Sequence, residues 1–226
     1  RVGKNLKIKY MKHKFLIATV LVAFSTSAIA QEVNFGVKAG TNLNTVSAKV
    51  DGEKEDDTEM TVGLLVGAFA DINFNETFAL ETGLQFEQKG FKLENTDYGV
   101  TVNTTANVNY LTIPVNFRVN VPAGENNFYM LAGPSVGIGL SGKLKAEAKS
   151  NGMKVSDSES IEFGDSDDSD LKRVNIGVGF GVGFELACNL GIRVGYDPGV
   201  SNLQPKGDSD NFLKFSSTNI ALTFKF

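Results

Sequence analysis

From Val174 to Leu186 the chain alternates without a break: every even position is a sizeable hydrophobe and every odd one is Gly, Asn or Glu. A period of two is the pleat of a β-strand, whose side chains point to opposite faces. A strand this long with no charge on its apolar face suits a lipid environment better than a small soluble core.

The same period marks eight candidate strands near 33–43, 61–72, 77–90, 107–121, 128–143, 172–186, 190–200 and 214–226. A tilted strand crosses the apolar layer of a bilayer in about 9–11 residues, which nearly all of these reach. The connections alternate in length. Long polar stretches at 44–60, 91–106, 144–171 and 201–211 take turns with short ones at 73–76, 122–127 and 187–189. Membrane barrels sort their connections in this way, with short periplasmic turns and long extracellular loops. The expected fold is an all-β, eight-stranded, antiparallel, up-and-down transmembrane barrel of the outer-membrane type, with both termini periplasmic.

Facing follows from phase. Phe78, Leu80, Leu84 and Phe86 oppose Glu81, Gln85, Glu87 and Lys89; Leu111, Ile113, Val115, Phe117, Val119 and Val121 oppose Thr112, Asn116, Arg118 and Asn120; Leu190, Ile192, Val194 and Tyr196 oppose Gly191, Arg193, Gly195 and Asp197. A basic residue on the lipid face costs about 2–4 kcal/mol at the midplane, and a charge in the lumen needs a partner. Arg118 and Arg193 are therefore expected to meet some of Glu81, Glu87, Glu185 and Asp197 inside the barrel. Eight strands leave an interior that side chains fill; inward glycines such as Gly133, Gly137, Gly139, Gly177, Gly179, Gly181 and Gly183 make room for long neighbours, so a plugged barrel without a general pore is expected.

The last segment, Thr218 to Phe226, again carries hydrophobes at every second position. It resembles the C-terminal strand read by outer-membrane assembly machinery, with Phe224 and Phe226 as its signal. The plainer reading is an edge strand, but so apolar an edge invites aggregation unless closure pairs it.

Met11-Lys12-His13-Lys14, the apolar run 15–24 and the small-residue site Ala28-Ile29-Ala30 have the layout of a secretory signal peptide at 11–30. Residues 1–10 are expected to be an upstream extension, and 31–226 a single barrel domain. The first 30 residues hold six of the 22 bases and none of the 26 acids, which leaves the rest at 16 bases against 26 acids. That balance argues against nucleic-acid binding. A lone cysteine, Cys188, forms no internal disulfide, and Gln31 is not the cysteine of a lipoprotein anchor.

Tyr110-Leu111-Thr112-Ile113-Pro114-Val115, Leu131-Ala132-Gly133-Pro134, Gly191-Ile192-Arg193-Val194-Gly195-Tyr196 and the Phe224-Lys225-Phe226 ending, in this order, resemble the PorT-like outer-membrane β-barrel family of Bacteroidetes. The likeness runs over residues 31–226. It implies an outer-membrane barrel with no established catalytic residues; one founding member is linked to protein secretion.

The single histidine, His13, lies in the signal segment, so Ser-His catalysis and histidine metal sites are not expected. One cysteine leaves no CxxC site. No enzymatic activity, cofactor or metal is expected. Gly177-Val178-Gly179-Phe180-Gly181 mimics a nucleotide-binding fingerprint, but it lies within a strand where that motif must turn into a helix. The acidic runs 53–57 and 165–170 offer oxygens to calcium, yet they lack the glycine and final glutamate of a calcium loop and read as solvated charge that keeps the loop extended. Tyr110, Tyr129, Tyr196, Phe128, Phe215 and Phe226 lie near strand ends, where interfacial aromatic girdles form.

The leading functional expectation is a structural or interaction protein that displays loops outside, 144–171 first among them. Its expected partners are outer-membrane lipid, the barrel assembly machinery and proteins met at loops or turns. The alternatives are a non-catalytic subunit of a secretion or uptake complex and a soluble ligand-binding barrel of lipocalin type, which would put its apolar face inside.

Overall fold

A computed structural model describes residues 32–55, 58–97, 100–150, 153–166 and 168–226. The signal segment and the residues before it lie outside the described residues. The strands are β1 (Glu32–Val50), β2 (Glu53–Glu55), β3 (Thr58–Glu59), β4 (Thr61–Asn73), β5 (Phe78–Asp97), β6 (Val100–Ala123), β7 (Asn126–Ser150), β8 (Met153–Ser160), β9 (Val174–Glu185), β10 (Leu190–Asp197) and β11 (Phe212–Lys225).

Eight of these form a closed antiparallel ring, β1-β4-β5-β6-β7-β9-β10-β11, which returns to β1. Closure pairs β1 with β11 from Gly36–Lys225 to Lys49–Phe212, and the Phe226 amide donates to the Phe35 carbonyl at 2.9 Å. The apolar edge strand foreseen at the C-terminus is thus fully paired. The even positions of β9 face outward, with Phe180 54% exposed, while Asn175, Gly179, Gly181 and Gly183 are buried inside. Phe35, Leu64, Leu84, Phe117, Met130, Ile192 and Leu222 continue that apolar belt around the wall. This is the reverse of a lipocalin, whose lumen is the apolar side.

Three connections sit at one end, the turn end. Gly124, at φ 67°, and Glu125 join β6 to β7; Asn189, at φ 65°, helps turn β9 into β10. Both positions adopt the left-handed region that Gly and Asn tolerate best. In the third turn the Asn75 side chain accepts hydrogen bonds from the Thr77 and Phe78 amides at 2.9 and 2.8 Å.

The opposite end departs from expectation. Most of 44–50, 91–106 and 144–160 is strand, not loop: β5 and β6 pair out to Asp97–Val100, and β7 and β8 pair out to Ser150–Met153. These extensions rise beyond the apolar belt as one antiparallel arm. Both of their faces meet water, so stretches such as Thr101-Val102-Asn103-Thr104-Thr105 show little hydrophobic contrast, while backbone pairing and β-branched residues sustain the sheet. A bulge at Leu140 shifts the β6–β7 register between Asn109–Ser141 and Tyr110–Gly139. The odd residues of β7 are buried below it and Gly142 above it, because an extra residue reverses the faces of everything beyond.

The acidic run is a second correction. Among its described residues, the Ser166 carbonyl accepts from the Ser169 amide at 3.1 Å and Phe163 bridges Leu171. The segment is a tight loop rather than an extended one, and no cluster of His, Cys, Asp or Glu suited to a metal is present among the described residues. The aromatics also divide: Tyr110, Tyr129 and Phe215 are buried in the lumen, whereas Phe128, Tyr196 and Phe226 lie on the outside. The first three are inward by phase, which overrides their nearness to strand ends.

Candidate functional site

The lumen holds the molecule's densest polar cluster among the described residues. Arg118 on β6 is 1% exposed. Its Nη1 donates to Asp71 Oδ2 at 3.0 Å and lies 3.5 Å from Glu81 Oε2; its Nη2 donates to Glu185 Oε2 at 2.8 Å, and its Nε to Asn120 at 2.8 Å. Arg193 on β10 grips Glu81 with both terminal nitrogens, at 2.7 and 2.5 Å, and its Nε donates to the Tyr129 hydroxyl at 3.0 Å. Tyr129 lies between the two arginines, with the Arg118 guanidinium 3.7 Å from its ring centroid. Across from it stands Gly183, where any Cβ would collide with the Tyr129 ring. A forked guanidinium satisfied by paired carboxylates is the geometry in which buried charge is tolerated.

Of the six charged residues expected to form a network, Glu81, Arg118, Glu185 and Arg193 come together. Glu87 instead meets Lys89 at 3.2 Å, accepts from Thr112 at 3.1 Å and is held by Gln85. Asp197 accepts from Asn219 at 3.1 Å and touches neither arginine. The network also contains residues beyond that set: Asp71, and Lys225, which lies 2.8 Å from Asp71 and 2.9 Å from Glu185. Lys225 was legible, since it sits between Phe224 and Phe226, both of which face outward. Lys38 is buried and lines a small cavity with Gln85, Arg193 and Asp197. Lys38, Lys89, Arg118, Arg193 and Lys225 face Asp71, Glu81, Glu87, Glu185 and Asp197, so the charged layer is balanced.

Toward the other end the filling changes. Val46, Phe91, Ala106, Val108, Tyr110, Leu171, Leu203 and Phe215 form a buried apolar cluster, with Leu93, Ile161, Phe163 and Leu213 packed on it. Strand residues supply most of it, but Leu171 and Leu203 come from connections that fold down into the barrel mouth. Leu203 is fully buried; its amide donates to the Leu213 carbonyl at 2.8 Å, and its carbonyl accepts from Lys172 at 2.7 Å. The cavities left in the lumen measure about 40 and 10 Å³, room for a water molecule or two. Charge below and hydrocarbon above close the barrel.

Outside the wall, the arm carries its own ion pairs. Glu147 contacts Lys145 and lies 3.0 Å from Lys154; hydrogen bonds from these two lysines hold its carboxyl down at about 2. Lys92 lies 2.6 Å from Glu59, whose hydrogen bond raises the ammonium above its ordinary value.

A closed ring with an outward apolar belt and a filled, charged lumen defines a transmembrane β-barrel. The family profile described as "Outer membrane protein beta-barrel domain" matches residues 29–204, and the chain belongs to this family. Its membrane is accordingly the outer membrane. Among solved structures it is similar to Neisserial surface protein A (13% identity, covering 85% of this chain and 97% of that one, TM-score 0.43). It is likewise similar to Ail, the attachment invasion locus protein of Yersinia pestis (17%, 86% and 99%, 0.42), and to OprG from Pseudomonas aeruginosa (12%, 87% and 97%, 0.45). A search of curated proteins finds no match to the sequence.

Proposed function

We propose that this protein is a non-catalytic, sealed outer-membrane barrel that acts by presenting its β-arm to protein partners outside the cell. The observation that carries the reading is the combination of a lumen closed twice over with strands β5 to β8 that continue well past the apolar belt. A closed lumen leaves no path for solutes, so the exposed arm is the surface with work to do. In this reading the turn end and both termini face the periplasm, residues 11–30 are removed on export, and the strand ending in Phe224 and Phe226 is read by the assembly machinery. The PorT-like resemblance belongs to the same proposal at a finer level and supplies its competitor, a subunit of a secretion complex that would bind partners through the turns.

Two measurements test it. Purified protein reconstituted in planar bilayers should pass no steady ion current; discrete, reproducible channel openings would overturn the sealed lumen. Cross-linking on intact cells should capture a protein partner that is lost when 145–158 is replaced by a short Gly-Ser turn. Capture that survives this change and disappears on altering 124–125 or 187–189 would favour the secretion subunit instead.

A further inference from the structure

The wall of the barrel has a gap on the arm side. β7 pairs with β9 as far as Ile138–Val174 and with β8 from Lys143–Ser160 onward. Between these limits the chain at 161–172 leaves the wall to plug the lumen, and the gap is spanned by the Gly139 amide on the Arg173 carbonyl at 2.7 Å and the Ile161 amide on the Gly142 carbonyl at 2.9 Å. A notch of about 770 Å³ opens there, lined by polar Gln88, Asn107, Asn109 and Ser141 and by charged Lys143 and Arg173, over apolar Leu140 and Phe163.

The height of this notch is set by the sequence. On the outward face of β6 the apolar series Phe117, Val115, Ile113, Leu111 gives way to Asn109 and Asn107; on β7, Val136, Ile138 and Leu140 give way to Ser141 and Lys143; on β9, Val178, Ile176 and Val174 give way to Arg173. The notch therefore lies where the hydrocarbon belt stops, the level of lipid headgroups. Lys143 and Arg173 are exposed and make no ion pair among the described residues; the Arg173 guanidinium lies 5.6 Å from the Phe163 ring. Glu162 is the one carboxylate on the lining. Two cations against one carboxylate, with neutral amide and hydroxyl donors beside them, suit a singly charged phosphate ester.

We infer that this notch is a binding site for the phosphate headgroup of an anionic membrane lipid, with the acyl chains lying against Leu111, Ile138, Leu140 and Val174. Lys143 supplies a mobile point charge and Arg173 a planar fork to the phosphate oxygens; Asn107, Asn109 and Gln88 reach the esterifying group. Because Arg173, Glu162 and Phe163 flank the plug segment, a bound headgroup also holds the chain that closes the lumen.

The test is native mass spectrometry on the full barrel in detergent, titrated with phosphatidylglycerol and with phosphatidylcholine of the same acyl chains. Wild type is expected to retain phosphatidylglycerol in preference, and K143Q/R173Q to lose about tenfold or more of that retention, the scale of two lost charge-assisted contacts. E162Q should strengthen retention about threefold by removing a like charge near the phosphate, while K154Q, away on β8, should leave it unchanged. Equal retention of the two lipids, a K143Q/R173Q barrel that holds phosphatidylglycerol as wild type does, or E162Q without effect would overturn the site. Displacement of the lipid by millimolar inorganic phosphate would overturn it too, by showing a free-anion site.

Discussion

The two halves of the lumen solve the same packing problem with opposite chemistry. On β1 the inward series runs Lys38, Asn42, Asn44 and then Val46; on β5 it runs Glu81, Gln85, Glu87, Lys89 and then Phe91; on β6 it runs Arg118, Asn116, Thr112 and then Tyr110, Val108 and Ala106. Every one of these strands switches from polar to apolar at the same height. In the charged half, each group is held by partners on other strands, so its geometry is fixed by direction and distance. In the apolar half, packing alone holds the filling, and part of it is delivered by connections that must fold back to do so. The charged half is built into the wall. The apolar half is a stopper set into its mouth.

That contrast can be broken at either half, and the charged half should suffer more. Arg118→Met strands Asp71, Glu81 and Glu185 around an uncharged side chain, and a broken buried network of this kind costs about 3–5 kcal/mol; the temperature at which the barrel loses its compact gel mobility should fall sharply. If the R118M barrel kept wild-type heat resistance, the network would be ornamental. Leu203→Ala removes a fully buried side chain from the stopper and should cost about 2–5 kcal/mol, toward the low end because the connection can settle into the space. Its effect should be local: hydrogen exchange should quicken across 201–213 and at Lys172, the bilayer should stay electrically silent, and a new conductance would show that the charged layer does not seal by itself.

A smaller change sharpens the picture within the charged half. Tyr129→Phe removes the hydroxyl that accepts from Arg193 but keeps the ring beneath Arg118; about 1–2 kcal/mol is expected from one hydrogen bond to a charged group. Tyr129→Ala would remove both contacts and should behave more like the arginine variant.

The mildest perturbation is pH, and it acts on the arm. Glu147 has its folded-state value depressed to about 2 by Lys145 and Lys154, so the contribution of its ion pairs is fully present above the ordinary glutamate value and is lost as pH falls from there to about 2. Amide exchange of the β7–β8 hairpin should rise through that window, and E147Q should abolish the pH dependence. Exchange that stays flat in wild type over the same range would remove Glu147 from any part in holding the arm. The pair Lys92–Glu59 carries the opposite sign: the lysine is raised, so its contribution is present below the ordinary lysine value and fades as pH rises through the elevated one.

How much of this was written in the residue order depends on contrast. Where one face meets lipid and the other the lumen, alternation is strong, and the eight wall strands, their facing and the inward position of Glu81, Glu185, Arg118 and Arg193 follow from phase alone. Asp71 was open to the same reasoning, since it opposes the outward residues of β4. The arm strands were not legible, because two wet faces leave nothing to alternate. The acidic run at 165–170 likewise gave no sign that Leu171 beside it would be drawn into the lumen.

The amino-acid sequence by itself determined the barrel class, because a period of two needs only the pleat and a difference between the environments on its two sides. It also determined which charges point inward. The tertiary structure alone decided who meets whom: Arg193 chooses Glu81 over its strand-mate Asp197, and Glu87 takes Lys89, because ring closure, tilt and the Leu140 bulge set the heights at which side chains from different strands arrive. It likewise decided that Leu171 and Leu203 stopper the mouth, since a lone leucine in a polar connection acquires a place only when a cluster of Phe91, Tyr110 and Phe215 exists to receive it.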